Sequence, residues 1–377
     1  MLQVPDASHH LLHVLPSFAP GGAQVRVTQL MNHFGTAFRH SVIALDGTYS
    51  ACQRVSQDII VERAACVPTP NPAVMICRLR DAIRACRPDA VLTYNWGTID
   101  GVIAARSLAL PAIHTEDGFG ADEAVAQKLR RVWYRRAVLR HASRVIAPSE
   151  QLRCIMRHTW RLPECRVVYI PNGVDVELFR PARGRQARNE IVIGTAANLR
   201  PEKRLELLLD VFARVASAMP ARLRIAGEGA ERAMLEQKAG ELSIADRVEF
   251  LGHQEDLLQF YHSLDVFALT SSTEQMPLSV LEAMACGLPV VSTNVGDVWN
   301  MLAEANRRFV VGAEKLADAL AILAVNEEMR AAVGQSNRER CVCHYPLAGM
   351  FEQYRRLYRG VCAPTAQPSR LEFKRQS

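Results

Sequence analysis

The sequence predicts an α/β protein of two Rossmann-like domains whose parallel sheets face a central cleft. Three observations carry this. The chain has 377 residues, too many for one ordinary core and suited to two α/β domains of similar size. Short apolar runs alternate with longer segments of helical period, the pattern of βαβ units with parallel strands buried on both faces. The rhythm breaks once, from Pro171-Asn-Gly to Pro181 and on through the polar stretch Ala182–Asn189, where turn and linker chemistry takes over.

Taken in order, the first half places strands at Leu11–Leu15, Ser41–Leu45, Ala90–Thr93, Ala112–His114, Arg144–Ala147 and Val167–Ile170. The second half repeats the rhythm at Ile191–Ala196, Arg222–Ala226, Val248–Leu251, Val266–Thr270 and Val290–Thr293. The clearest helix starts at Lys203: Leu205, Leu208, Leu209, Phe212 and Val215 form one apolar stripe, and Pro220 lies just past its expected end. The boundaries are then residues 1–180 and 181–345. The last helical segment, Pro346–Arg359, is a candidate to cross back onto the first domain. Residues 362–377 lack periodicity and are expected to be disordered. Ligands bind beyond the carboxyl ends of strands in such sheets, so two facing edges create a cleft.

A hydrophobic fraction of 49% and a charged fraction of 22% are those of a globular protein. No stretch approaches the roughly eighteen uncharged apolar residues of a membrane span. The N-terminal run lacks a basic lead and reads as the approach to a first strand, not as a signal peptide. The ten cysteines include no C-x-x-C, and Cys77, Cys86, Cys154 and Cys286 sit in apolar helical patterns as small hydrophobes. A reducing cytoplasm is the expected location. The net charge of +6 suits an anionic ligand or surface, and no aromatic-basic module of a nucleic-acid binder is present.

The most informative segment is Thr270-Ser-Ser-Thr-Glu274-Gln-Met-Pro-Leu-Ser-Val-Leu-Glu282-Ala-Met-Ala-Cys-Gly-Leu-Pro. A strand ends, a polar loop follows, and Pro277 is placed to open a helix. The amides of Leu278, Ser279 and Val280 would be free donors at a positive helix end, a site for phosphate. Glu282 lies within an almost wholly apolar helix, where an acid needs a reason; gripping two vicinal hydroxyls is one. For an ordinary Glu pair, helix solvation would be the better reading, and it is the context that favours a site.

The spacing E-x7-E followed by Ala283-Met-Ala-Cys-Gly-Leu-Pro-Val-Val-Ser resembles the retaining glycosyltransferases of the GT-B fold, family-4 type, over Pro16 to about Arg359. The resemblance implies that Glu282 binds ribose hydroxyls and that Glu274 approaches the sugar of a nucleotide-sugar donor. It implies a cation pair for the diphosphate: Lys203 matches the family's Lys, whereas Asn198 stands where the family has Arg, a role that could pass to Arg200. It brings Gly227-Glu228-Gly229 near the nucleotide base and Gly21-Gly22 near the phosphates, and it puts His114 against the donor sugar. Glu116 and Asp117 beside it are acceptor candidates. A glycan or lipid-linked acceptor and retention of configuration follow from the resemblance, with no cofactor and, since no D-x-D occurs in the loops, no metal.

The segment 124–149 carries Lys128, Arg130, Arg131, Arg135, Arg136, Arg140 and Arg144, interleaved with Trp133 and Tyr134 and without acids. A solvated helix face is the simpler reading, and peripheral contact with an anionic membrane on its inner face is the alternative. Two other functions stay open: an epimerase acting on a nucleotide sugar, and a non-catalytic nucleotide-sugar-binding partner.

Overall fold

The computed structural model describes residues 9–119, 121–123, 126–182, 184, 189–254 and 256–362. The first sheet contains β1 (His9–Leu15), β2 (Phe38–Ala44), β3 (Val61–Arg63), β4 (Ala90–Tyr94), β5 (Ala112–Thr115), β6 (Arg144–Ala147) and β7 (Val167–Tyr169), in the order β3-β2-β1-β4-β5-β6-β7. The second contains β8 (Ile191–Ala196), β9 (Ala221–Ala226), β10 (Val248–Gly252), β11 (Val266–Leu269), β12 (Val290–Thr293) and β13 (Val310–Val311), in the order β10-β9-β8-β11-β12-β13. Neighbouring strands in both sheets run parallel. Chain order reverses between β1 and β4 and again between β8 and β11, so each sheet has a switch point where a ligand crevice opens.

The expected strands are present to within a residue or two, except that β2 begins at Phe38, three residues before the expected Ser41. The short edge strands β3 and β13 were not foreseen, because two or three residues carry no readable period. Successive residues of β1 pack on opposite faces of the sheet. Leu12 and Val14 meet Leu79, Ile83 and Val102 of the helices Pro72–Cys86 and Asp100–Ser107. Leu11 and Leu15 share the other core with Val27 and Leu30 of the helix Gly22–Phe34.

The last helix, Leu347–Cys362, contributes Met350, Phe351, Tyr354 and Tyr358 to that same first-sheet core. Cys362 ends this helix instead of beginning a tail; residues 363–377, and positions 183 and 185–188 of the linker, lie outside the described residues. The chain therefore passes between the sheets twice, and the passages are joined: Val174 N–H donates to Tyr345 O at 2.9 Å, and Leu347 N–H to Val174 O at 2.9 Å. Gly173 permits this approach, since a Cβ there would lie 2.8 Å from Leu347 Cα.

Candidate functional site

A cavity of about 680 Å³ lies between the two sheets, and its walls are loops that follow strand ends together with faces of the helices beside them. Gly21-Gly22 after β1, Asn95-Trp96-Gly97 after β4 and Asp117-Gly118-Phe119 after β5 face Arg200, Glu202 and Lys203 after β8 and Glu274 to Ser279 after β11.

The turn Pro201–Lys203 is a short 3-10 segment, and Arg204 behind it adopts a left-handed backbone (φ +49°). The helix begins only at Leu205, so Lys203 stands in a turn and not in the helix, a correction to the sequence reading. That kink aims the turn at the β11 loop. Thr270 Oγ1 donates to the carbonyls of Lys203 and Arg204 at 3.0 Å each, and Ser272 N–H donates to Glu202 O at 2.8 Å. The two loops are thus one unit, and Lys203 Nζ meets Glu274 Oε1 at 2.5 Å, with Ser271 Oγ donating to the same oxygen at 2.8 Å.

The helix Leu278–Ala285 has Pro277 in its N-cap position and no side chain capping it, so its first amides remain available beside the cavity. It stops where Gly287 takes φ +73°, with Gly287 N–H on Met284 O and Leu288 N–H on Ala283 O, the Schellman arrangement. Leu278 and Ser279 line the cavity. Glu282 does not; it sits one turn further along the same helix face. Tyr261 OH, fully buried, donates to Glu282 Oε2 at 2.6 Å, and burial pushes the Glu282 carboxyl up to about 7 despite that bond.

Gly227 and Gly229 are required by a close approach. A Cβ on Gly227 (φ +142°) would lie 1.9 Å from Ala197 O, and one on Gly229 2.3 Å from Leu199 O. Leu199 N–H donates to Glu228 O at 2.9 Å. This turn therefore buttresses the loop that carries Arg200, while Glu228 itself pairs with Arg232 at 2.7 Å at the surface, away from the cavity. Asn198 is also exposed and outside the cavity, whereas Arg200 lines it.

The structure does not bring His114 into the cavity. It is the third residue of β5, fully buried, with Nδ1 on Thr93 Oγ1 at 2.8 Å and Nε2 3.8 Å from Glu116 Oε2. The chain reaches the cavity three residues later, at Asp117, which pairs with Arg26 at 2.6 Å. Arg26, 2% exposed, also donates to Asn172 Oδ1 at 3.0 Å, and Asn172 Nδ2 donates to Met276 O at 2.8 Å. A second bridge between the sheets is Asp297, whose carboxylate accepts the amides of Glu150 (2.5 Å) and Gln151 (3.0 Å) at the start of a first-domain helix. Sequence reading missed Arg26, Asn172 and Asp297. Asp297 left a signal there, since it closes the Asn-Val-Gly-Asp turn beyond β12, and Asn172 was read only as part of the Pro171-Asn-Gly turn.

The basic segment divides. Arg135 is buried with its guanidinium 5.0 Å from the Trp96 ring centre, and it pairs with Glu123 at 3.0 Å, as Arg131 does. These two line the cavity instead of facing outward. Leu129 (78% exposed) and Trp133 (65%) are open to solvent, as are Arg130, Arg140 and Arg144. No helix among the described residues is long and apolar enough to cross a membrane, and none of their His, Cys, Asp and Glu side chains gather in threes as metal ligands would.

The profile of glycosyltransferase family 4 matches residues 20–178, and that of glycosyl transferases group 1 matches residues 179–340. The D-inositol 3-phosphate glycosyltransferase of Mycobacterium marinum is 31% identical over 235 residues, 55% of this chain and 49% of that protein. The putative glycosyltransferase EpsF of Bacillus subtilis is 25% identical over 321 residues, 76% of this chain and 79% of that one. The chain spans about half the length of several curated relatives it matches. Among solved structures, Anabaena HepE, crystallised with UDP and glucose, superposes with a TM-score of 0.77 at 18% identity, covering 93% of this chain and 100% of that one. Sucrose-phosphate synthase from Thermosynechococcus elongatus gives 0.76 at 20% identity, covering 93% and 99%. These two likenesses concern the fold.

Proposed function

Since the chain belongs to the GT-B glycosyltransferases of the family-4 type, we propose that it moves a sugar from a UDP- or GDP-linked donor to a glycan or lipid-linked acceptor, with retention at the anomeric carbon, in polysaccharide or glycolipid assembly. The observation that carries this is the pairing of Arg200 and Lys203 on one strand-end turn with the uncapped helix start at Leu278 and Ser279, across one cavity. Cations and free amides together suit a diphosphate. UDP in the HepE crystals supports a uridine donor.

In this reading the diphosphate lies between Lys203, Arg200 and the amides of Leu278 and Ser279. Glu282 takes the ribose hydroxyls one helical turn further on, and Glu274 borders the sugar. The acceptor oxygen bonds to the anomeric carbon as that carbon's bond to the diphosphate oxygen breaks, and the acceptor proton passes to the departing phosphate. Lys203 and Arg200 stabilise the charge that grows there, which is where fixed cations lower a barrier most. No metal enters this scheme, so turnover is expected to continue at an unchanged rate in EDTA.

The exposed Leu129, Trp133, Arg130 and Arg140 would lay the first domain on an anionic bilayer, next to a lipid-linked acceptor. Pelleting with anionic vesicles, absent with neutral ones, tests that contact. A panel of UDP-, GDP- and ADP-sugars with mixed acceptors tests the function. Release of nucleoside diphosphate with formation of a glycoside supports transfer, whereas an altered free nucleotide sugar, or binding without turnover, overturns it.

A further inference from the structure

We propose that the first-domain wall of the cavity is an acceptor subsite for an uncharged, hydroxyl-bearing sugar, with Asp117 receiving the acceptor hydroxyl, and that it discriminates against phosphorylated or carboxylated acceptors. The proposal rests on the donor assignment made above. It follows from which charges in the cavity are already neutralised and which are not.

Each cation that lines the first-domain wall is held in an ion pair. Arg26 is paired with Asp117 at 2.6 Å, Arg131 with Asp122 at 2.9 Å and Glu123 at 3.0 Å, and Arg135 with Glu123 at 3.0 Å and Glu116 at 3.4 Å. Arg26 and Arg135 cannot swing free at small cost, because both are buried and Arg26 is also fixed by Asn172, while the half-buried Arg131 is held by two carboxylates at once. The second-domain wall differs: Arg200 is exposed and makes no ion pair among the described residues. The cavity therefore keeps its unneutralised cation on the donor side alone.

The acceptor side offers the opposite group. Asp117 Oδ2 is buried and has no hydrogen-bond partner, and beside it Arg26 Nε and Nη2 likewise lack one although Nη2 is ion-paired with Asp117 Oδ1, so the place suits a group that both donates and accepts. The residue is held in place by its own N–H, which donates to Asn95 Oδ1 at 2.7 Å, and by Gly118 (φ +146°), where a Cβ would lie 3.3 Å from Gln275 Cγ. A carboxylate oxygen can only accept, so it requires a donor, and a sugar hydroxyl supplies one without bringing charge. A phosphate or carboxylate in the same place would be desolvated beside Asp117 with no free cation to meet it. The relay from Asp117 through Arg26 and Asn172 to Met276 O also ties the acceptor group to the loop before the donor helix, which would fix the two substrates relative to each other.

The test uses matched acceptors: alkyl hexosides against their 6-phosphates, and inositol against inositol 3-phosphate, with saturating donor. Wild-type protein is expected to favour the neutral member of each pair at least about tenfold in kcat/KM. Asp117→Asn should raise the KM for the neutral acceptor about tenfold or more and leave the donor KM within about twofold. Because it leaves Arg26 without its counter-charge, it should also move the preference toward the phosphorylated member. Preference of the wild type for phosphorylated acceptors, or an Asp117→Asn protein with unchanged acceptor KM and preference, overturns the proposal. Where no pair is turned over, titration of the same pairs into the complex with UDP or GDP decides. Equal or tighter binding of the phosphorylated member, or no binding of the neutral one, again overturns it. Titration of the nucleotide alone separates failure of the donor reading, and in that case the pairs are titrated into the free protein and judged by the same criteria.

Discussion

Replacing Glu282 with Gln should stabilise the protein above neutral pH and at the same time weaken donor binding. Burial raises the Glu282 carboxyl from the usual 4.5 to about 7. Between those values the folded chain holds a proton that the unfolded chain has released. The free energy of unfolding therefore falls as pH rises through that window and stays lowered above it. At about 1.4 kcal/mol per unit the upper figure is ~3 kcal/mol, and the part of the side chain still open to solvent brings it nearer ~2 kcal/mol. The amide of Gln has the same shape, does not ionise, and can still accept the Tyr261 hydroxyl bond. Melting curves of both proteins from pH 4.5 to pH 8 should coincide at the acid end and separate by about 4–8 °C for the second domain at the other. Calorimetric titration at pH 8 should show nucleotide-diphosphate affinity lowered about tenfold in the variant. A Gln variant that melts no higher than the wild type at pH 8, or by a margin that does not change with pH, would refute the reasoning.

Three further outcomes test other parts of the site. Lys203→Ala should weaken donor binding or turnover at least about tenfold with the fold unchanged by circular dichroism, since it removes one of two cations facing the helix start; wild-type kinetics would remove Lys203 from the site. Asp297→Ala uncaps a first-domain helix from across the cleft and should cost about 1–2 kcal/mol in urea unfolding, with a larger radius of gyration in X-ray scattering as the domains part. An unchanged radius would show that the other contacts suffice. Gly227→Ala forces a Cβ against Ala197 O at a positive φ, so about 2 kcal/mol or more of stability should be lost and donor affinity with it, as the Arg200 loop shifts. Normal donor affinity in a destabilised Gly227→Ala protein would argue that the loop's position does not matter.

Much of the fold was legible because it depends on local periodicity. The stripe Leu205, Leu208, Leu209, Phe212 and Val215 is buried as its spacing requires, and the run Cys286-Gly-Leu-Pro ends its helix as the chemistry of Gly287 predicts. Glu274, Lys203, Arg200, Leu278 and Ser279 meet in one cavity because each lies on the loop or helix start that follows a strand's carboxyl end, and strand ends can be read in one dimension. His114 shows where that reasoning fails. It too lies near a strand end, yet its side chain is enclosed beneath the cavity and the loop's first residue in it is Asp117, a matter of where the last pleat points. The helix expected at Lys203 failed for a similar reason, since a left-handed Arg204 inserted between turn and helix has no mark in composition.

By itself, then, the sequence determined the two parallel sheets, the helix face that carries Ser279 and Glu282, and the cationic turn opposite it, because hydrophobic period and turn residues act over a few positions at a time. Only the tertiary structure decided which charges remain free. Arg26 with Asp117, Asp297 with Glu150 and Arg131 with Asp122 differ in kind: the last pair lies nine residues apart, while the first two are separated by 91 and 147 residues. Whether a charged group in the cleft is spent on a neighbour or left for a ligand depends on packing that brings such distant residues within 3 Å, and no local pattern encodes it.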